Sequence, residues 1–327
     1  KRGIELALGK ENQLQRDSLL VNLITEDSQS DPKLALSAYQ SIKQKTSFPV
    51  AITWGSGVGI ALTPIVNQDK VVQIGVATAS PLYSTPDDYT FRNFPASTCG
   101  SLALSKFFSE KFAGKSFYIV HNENDYGVGA AKAAHMALEN VGLVIAGVES
   151  FLPTETDFRA ILTRIRAKKP AVIYLASYTQ PAALFIKQAR ELGITSQFIA
   201  SEAILDGEDT WTTGGKAVEG IIVSSSSPYF EDRSNAELVK FIDQFKASYK
   251  REPNPIDYLS VRAYDSVKII LPIIDRCKSN TECIKQELFK VQNFHAASGL
   301  ISFDVNGDIP CYFTFQRFYN GKFELVG

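Results

Sequence analysis

Residues 116–176 read SFYIVHNENDYGVGAAKAAHMALENVGLVIAGVESFLPTETDFRAILTRIRAKKPAVIYLA, and this stretch decides the fold class. Three short runs rich in β-branched and aromatic residues, Ser116–His121, Leu143–Val148 and Ala171–Ala176, are separated by segments of helical period at Gly127–Asn140 and Asp157–Lys168. Strands spaced by helices of roughly 10–15 residues are the pattern of βαβ units, whose strands lie parallel in one sheet. The alternation runs outward in both directions. Upstream, strands at Leu19–Thr25, Pro49–Thr53 and Val71–Val76 alternate with helices at Asp31–Lys45, Gly57–Asp69 and Ser101–Phe112. Downstream come a helix at Pro181–Leu192 and a strand at Ile221–Ser224. Asp31-Pro32 supplies an N-cap with proline at the first helical position, and Pro181 repeats the proline. Gly142 and Gly193 each stand just past a helix, where a left-handed residue ends it at little cost. The fold class is α/β, doubly wound.

At 327 residues, and with roughly 150 residues per domain as a guide, two domains are expected. Composition breaks at Asn93–Thr98 and again at Ser224–Pro228. Helix-rich segments follow at Asn235–Lys250 and Ile256–Asp275, and a strand-rich tail starts at Leu300. If the tail returns to the second set of strands, the chain forms two lobes joined by a three-crossing hinge. The expected lobes are residues 1–95 with 228–303, and 96–227 with 304–327. Ligands of open α/β sheets sit outside the carboxyl ends of the strands, so two such lobes facing each other make a ligand cleft between them.

The chain is 45% hydrophobic and 21% charged, which excludes a disordered or collagen-like protein. A net charge of −1 argues against nucleic acid or an anionic membrane surface as partner. No apolar run approaches the ~20 residues that span a bilayer. Cys277 and Cys283 flank the polar segment KSNTE, where a disulfide closes a short loop; the alternative is two free thiols on a helix–loop–helix. Cys99 and Cys311 are a second candidate pair. An even cysteine count with one close pair leans towards an oxidising compartment.

Catalytic machinery is hard to find. His121, His135 and His295 are not spaced with cysteine or carboxylate as a metal site requires, so no metal and no cofactor is expected. Gly55-Ser56-Gly57 lacks the G-x-S-x-G spacing, and no G-x-x-x-x-G-K-[ST] phosphate cradle occurs. Gly127-Val128-Gly129 follows a strand and opens a helix, but the third glycine of a dinucleotide fingerprint is replaced by Lys132. The expectation is a protein that is not an enzyme.

The strand ends instead offer binding groups. Ser56 opens a helix after FPVAIT, with its hydroxyl and the helix-start amides facing an anion; a plain N-cap serine is the simpler reading. The segment Gly75–Pro81, which includes Ala77, Ala79 and Ser80, exposes backbone carbonyls and amides after the next strand. Tyr126 and Tyr178 follow two strands of the second set and combine an apolar face with a hydroxyl. Glu202 follows QFIAS, where its carboxylate would neutralise an ammonium through charge-assisted hydrogen bonds; the alternative is a solvated loop acid.

The chain resembles the type I periplasmic solute-binding proteins, in the leucine/isoleucine/valine-binding branch that serves ABC transporters. The likeness rests on GIELA…EN, LLVNLITEDSQSDPKLA, VVQIGVATASPL with YTFRNFPAS, and NENDYGVGAAK running on to AVIYL. FIKQARELGI and SGLISFDVNGD…NGKFELV continue it. The resemblance implies that Ser56 binds a ligand carboxylate and that the loop Ala77 to Ser80 serves both ends of the ligand. It further implies that Tyr126 and Tyr178 line the site and that Glu202 takes the ammonium. The ligand it implies is an α-amino acid, branched-chain members included, or a close analogue. A threonine of the family pattern is replaced by Ala79, so its hydroxyl is missing unless Ser80 or Thr78 substitutes. The family's first strand has no counterpart before Lys1, and residues upstream of Lys1 are therefore expected. The expected protein is a periplasmic or otherwise extracytoplasmic monomer, lipid-anchored or free, that closes on its solute and presents it to an ABC permease in the membrane. Rival expectations are the same fold binding an amide, a urea-like solute or an aromatic carboxylate, and a cytoplasmic ligand-sensing regulator.

Overall fold

The computed structural model describes residues 1–9, 13–16, 19–226, 230 and 233–326. The chain opens with α1 (Arg2–Leu8), β1 (Gln13–Arg16) and β2 (Leu19–Asn22), then α2 (Pro32–Lys45), β3 (Val50–Trp54), α3 (Ser56–Asp69), β4 (Val72–Val76) and β5 (Thr90–Arg92). There follow α4 (Ser97–Lys111), β6 (Ser116–Asn122), α5 (Asp125–Asn140), β7 (Val144–Phe151), α6 (Arg159–Lys168) and β8 (Val172–Ala176). Next are α7 (Thr179–Glu191), β9 (Gln197–Ser201), α8 (Asp209–Gly214) and β10 (Ile222–Ser225). The last part holds α9 (Ala236–Tyr249), α10 (Tyr258–Cys277), α11 (Thr281–Phe289), β11 (Phe294–Ala296), β12 (Gly299–Ile301), β13 (Thr314–Tyr319) and β14 (Lys322–Leu325).

The chain divides into two units, Lys1–Ala96 with Phe230–Pro310, and Ser97–Tyr229 with Cys311–Gly327. The return crossing lies after Pro310, later than the 303/304 boundary expected from composition. The reason is burial: Phe303 and Ile309 sit in the core of the first unit, and Phe303 meets Phe91 edge to face at 5.3 Å. The first crossing falls after Ala96, against the expected 95/96, and the middle crossing falls on residues outside the described set.

In the first unit β3, β4 and β5 form a parallel sheet, with Val50 opposite Val72 and Gln73 opposite Thr90. Val72 and Ile74 of β4 are buried against Ile269, Ile270 and Ile273 of α10, joined by Leu288 of α11. Asp31 caps α2 as its sequence suggests, accepting from the amides of Lys33 and Leu34. The run Leu19–Thr25 departs from expectation. Its ordered part, β2, pairs antiparallel with β1 as a two-stranded ribbon, not in the parallel sheet. Val21 and Leu23 bury their apolar surface on Val267 and Leu271 of α10, which satisfies the hydrophobic pattern without a place in the sheet.

In the second unit the sheet order is β14-β13-β10-β9-β8-β6-β7. The strands from β10 to β7 are parallel, and the tail adds β13 and β14 antiparallel at one edge. Phe108 of α4 packs on Phe117 of β6 at 4.8 Å, and Phe185 of α7 packs on Phe158 at 5.2 Å. Gly142 and Gly193 take the left-handed conformation just past α5 and α7, with φ of 66° and 75°. Pro181 does not open its helix: α7 begins at Thr179. Proline is tolerated there because the first-turn amides have no intrahelical acceptor in any case.

Cys277 and Cys283 are disulfide-bonded, with Cα atoms 5.6 Å apart, and tie the end of α10 to the start of α11. Cys311 is also disulfide-bonded, while the side chain of Cys99 lies outside the described set. Cys277 is buried in the core of its unit, with Cys283 packed against it. For a sequence separation of 6, loop closure in the unfolded chain makes the bond worth about 2 kcal/mol. Replacing both cysteines by serine is expected to lower unfolding free energy by about that amount in urea titrations. An unchanged midpoint would show that the bond contributes nothing.

Candidate functional site

The sequence-derived residues form two constellations, one in each unit. In the first, β3 ends at Trp54, and Gly55 turns the chain with φ 84° so that α3 begins at Ser56. Gly55 is therefore the N-cap, and Ser56 makes no capping bond to its own helix. The simpler reading of Ser56 as an N-cap serine does not hold. Its Oγ instead accepts from two amides of the loop after β4, Ala79 N at 3.1 Å and Ser80 N at 3.2 Å.

A hydroxyl carries two acceptor lone pairs and one donor proton. With both lone pairs engaged by Ala79 and Ser80, the O–H is what Ser56 has to offer a solute, and its natural partner is an acceptor such as a carboxylate. The first-turn amides of α3 carry partial positive charge of the same preference. Ser56 is 1% exposed, and Ala79 and Ser80 are buried beside it. Ala77 stands at the head of the loop with φ 60°, a left-handed conformation that costs an L-residue about 1 kcal/mol or more. The surrounding contacts hold it there: Thr78 Oγ1 donates to Gly55 O at 3.4 Å, and the loop is pinned at Ala79 and Ser80. A Cβ on Gly75 would come within 2.8 Å of Thr78 Oγ1, so this close approach of loop to strand needs glycine.

In the second unit, Tyr126, Tyr178 and Glu202 follow the carboxyl ends of β6, β8 and β9, three adjacent parallel strands. The Tyr126 and Tyr178 rings stack at 5.6 Å with planes 19° apart. Tyr126 is the second residue of α5, whose cap is Asn124, accepting from Gly127 N at 2.7 Å. Its hydroxyl oxygen accepts from Ala203 N at 3.2 Å. Burial, and then the nearby Glu202 charge, raises the Tyr126 hydroxyl well above the ordinary tyrosine range, so it stays a neutral phenol. Burial does the same for Tyr178, with Asp206 and Asp125 adding to it. Glu202 opens a short 3-10 turn, Glu202–Leu205, and its Oε2 accepts from Ser226 N at 3.0 Å, just past β10. Glu202 is 6% exposed, and burial, with the Glu202 charge adding to it, raises the Tyr174 phenol of β8.

Sequence reading passed over Asn122. It is the last residue of β6, fully buried, and its Oδ1 accepts from Tyr178 N at 3.0 Å, fixing where α7 starts. The polar run His121–Asp125 directly after an apolar strand was the available signal. His121 bonds through Nδ1 to Asn122 O at 2.8 Å, a structural contact.

The chain belongs to the family described as periplasmic binding protein, which matches residues 3–311. A leucine-, isoleucine-, valine-, threonine- and alanine-binding protein of Pseudomonas aeruginosa is 25% identical over 285 residues, 86% of this chain and 74% of that protein. Among solved structures, the leucine binding protein LivK of Thermotoga maritima superposes with a TM-score of 0.91 at 26% identity, covering 100% of this chain and 92% of that one. LivJ of Streptococcus pneumoniae, solved with isoleucine, has the same fold, with a TM-score of 0.88 at 23% identity over 99% and 93% of the two chains. The fold is that of the type I periplasmic binding proteins.

The glycines of the Gly127-Val128-Gly129 segment have a packing explanation. A Cβ on Gly127 would lie 2.2 Å from the backbone oxygen of Asn122. Glycine is needed there for α5 to sit against the end of β6. Gly127→Ala is expected to lower unfolding free energy by about 1–3 kcal/mol in denaturant titrations, since backbone and helix must separate. A change within 0.5 kcal/mol either way, the usual range for a neutral surface substitution, would show that the approach is not as tight as described.

Proposed function

We propose that this chain is the extracytoplasmic receptor of an ABC importer, capturing an α-amino acid or close analogue and presenting it to a membrane permease. Ser56, held by the loop of Ala77, Ala79 and Ser80 and joined by the first-turn amides of α3, takes the carboxylate end. Glu202 takes the ammonium, and Tyr126 and Tyr178 supply apolar faces and hydroxyls beside it. The single observation that carries this reading is the complementary chemistry of the two constellations. One presents a hydroxyl turned donor by its own loop, and the other presents a buried carboxylate. A zwitterion satisfies both. The relatives' names support amino acids, leucine among them, as the class. The disulfide between Cys277 and Cys283 supports an oxidising compartment, in which such a bond persists. The receptor acts as a monomer, and its ligand shifts it to a closed state because the Tyr126, Tyr178 and Glu202 contacts are gained only there.

Calorimetry with L-leucine tests the assignment. Glu202→Ala is expected to weaken binding by more than ~1.4 kcal/mol, a factor of ten. The stacked tyrosines and the β-sheet remain, so the fold is retained. Affinity equal to that of the unaltered protein would remove Glu202 from the ammonium site.

A further inference from the structure

We infer that Arg92 and Asp308 form a positioning pair that sets the donor character of Ser56; the inference rests on Ser56 being a ligand contact. Arg92 is the last residue of β5 and is 1% exposed. All three guanidinium nitrogens are engaged. Nε donates to Asp308 Oδ1 at 2.6 Å, and Nη2 donates to Ser84 Oγ at 2.7 Å. Nη1 donates to the carbonyls of Thr78 at 3.1 Å and Ser80 at 2.9 Å. Ser84 closes the ring by donating to Asp308 Oδ1 at 2.7 Å.

The Thr78 carbonyl and the Ala79 amide belong to one peptide plane and point in opposite directions, because that bond is planar and trans. Arg92 holds the carbonyl edge of this plane, and Ser56 Oγ receives its N–H edge. The second carbonyl held, that of Ser80, precedes Pro81 and has no amide opposite it. Arg92 therefore fixes the rotation of the Thr78–Ala79 peptide. That rotation keeps one Ser56 lone pair filled by the Ala79 amide, beside the Ser80 amide on the other, and so keeps the proton directed to a solute.

Asp308 neutralises the buried guanidinium from the segment Asp304–Asp308. A reverse turn braces that segment: Asp304 Oδ1 accepts from Asn306 N and Asp308 N. The Arg92 amide donates to Gly307 O at 2.9 Å, and Gly307 has φ 75° with Thr90 O where a Cβ would stand. Arg92 lies shortly before the chain leaves its unit after Ala96, and Asp308 just before it leaves again after Pro310. The loop at Ser56 is thus braced on the two chain segments that lead out of the unit. Lysine keeps the charge of Arg92 but has a single ammonium, which cannot span two carbonyls, a serine and a carboxylate at once.

The test is Arg92→Lys, with Asp308→Asn as a second variant. In the protein without added solute, amide hydrogen exchange at Ala79 and Ser80 is expected to accelerate by about tenfold or more, while the β4 amides keep their protection. Unaltered exchange at both loop amides would overturn the inference, whatever the solute proves to be. In calorimetry with L-leucine, Arg92→Lys is expected to weaken binding about tenfold, and to add little in a Ser56→Ala background because both act through one hydroxyl. Fully additive losses would contradict action through Ser56. Absence of leucine binding by the unaltered protein would count against the proposed function, and the exchange arm would still decide on the positioning pair.

Discussion

The acceptance of two loop amides by the Ser56 hydroxyl, at 3.1 and 3.2 Å, is the contact on which the chemistry of the first unit depends. It joins the ends of two parallel strands, since Ser56 follows β3 and the amides follow β4. A serine with one lone pair open would receive a donor as readily as it gives a proton. With both filled, it discriminates in favour of an acceptor. The left-handed Ala77, the glycine at position 75 and the buried Arg92 all serve the same short loop, and their strain and burial make sense only if the loop must hold one shape.

The second unit reaches a comparable result with different means. Its parallel sheet delivers Tyr126, Tyr178 and Glu202 to one edge, because residues that follow adjacent parallel strands emerge side by side. Small polar devices then fix each one. Asn124 caps the helix that carries Tyr126, and Asn122 holds the amide of Tyr178. Ser226 N bonds the Glu202 carboxylate. A buried carboxylate favours a cation beside it, since a charge out of water needs an opposite charge or strong donors. The family to which the chain belongs is one of binding proteins.

Much of this was legible because it is local. The βαβ alternation, the Asp31 cap and the left-handed Gly142 and Gly193 are each decided by a few neighbouring residues. The placement of candidate ligand groups directly after strands follows from the same pattern. What escaped depends on partners far apart in the chain. The β2 strand at Leu19 reads as an ordinary sheet strand because hydrophobic alternation does not say which neighbour a strand will choose. The crossing after Pro310 was misplaced because Phe303 and Ile309 are committed to the first core by Phe91, a residue more than half the chain away. Arg92 and Asp308 gave no local signal, for the value of each lies entirely in the other. The position of Ser56 at the start of α3 is legible locally, but the two amides that its hydroxyl accepts come from a loop more than twenty residues away.

The proposed function requires one solute to meet a donor at its carboxylate end and a carboxylate at its amine end. Calorimetric titration of the unaltered protein with L-leucine, with its amide L-leucinamide and with its deaminated analogue 4-methylpentanoate addresses this by removing each end in turn. Both analogues should bind at least about tenfold more weakly than leucine, because leucinamide turns an N–H donor and no negative charge toward the first-turn amides of α3, and 4-methylpentanoate offers Glu202 no positive charge. An analogue that matched or exceeded leucine would contradict the account at the end it lacks.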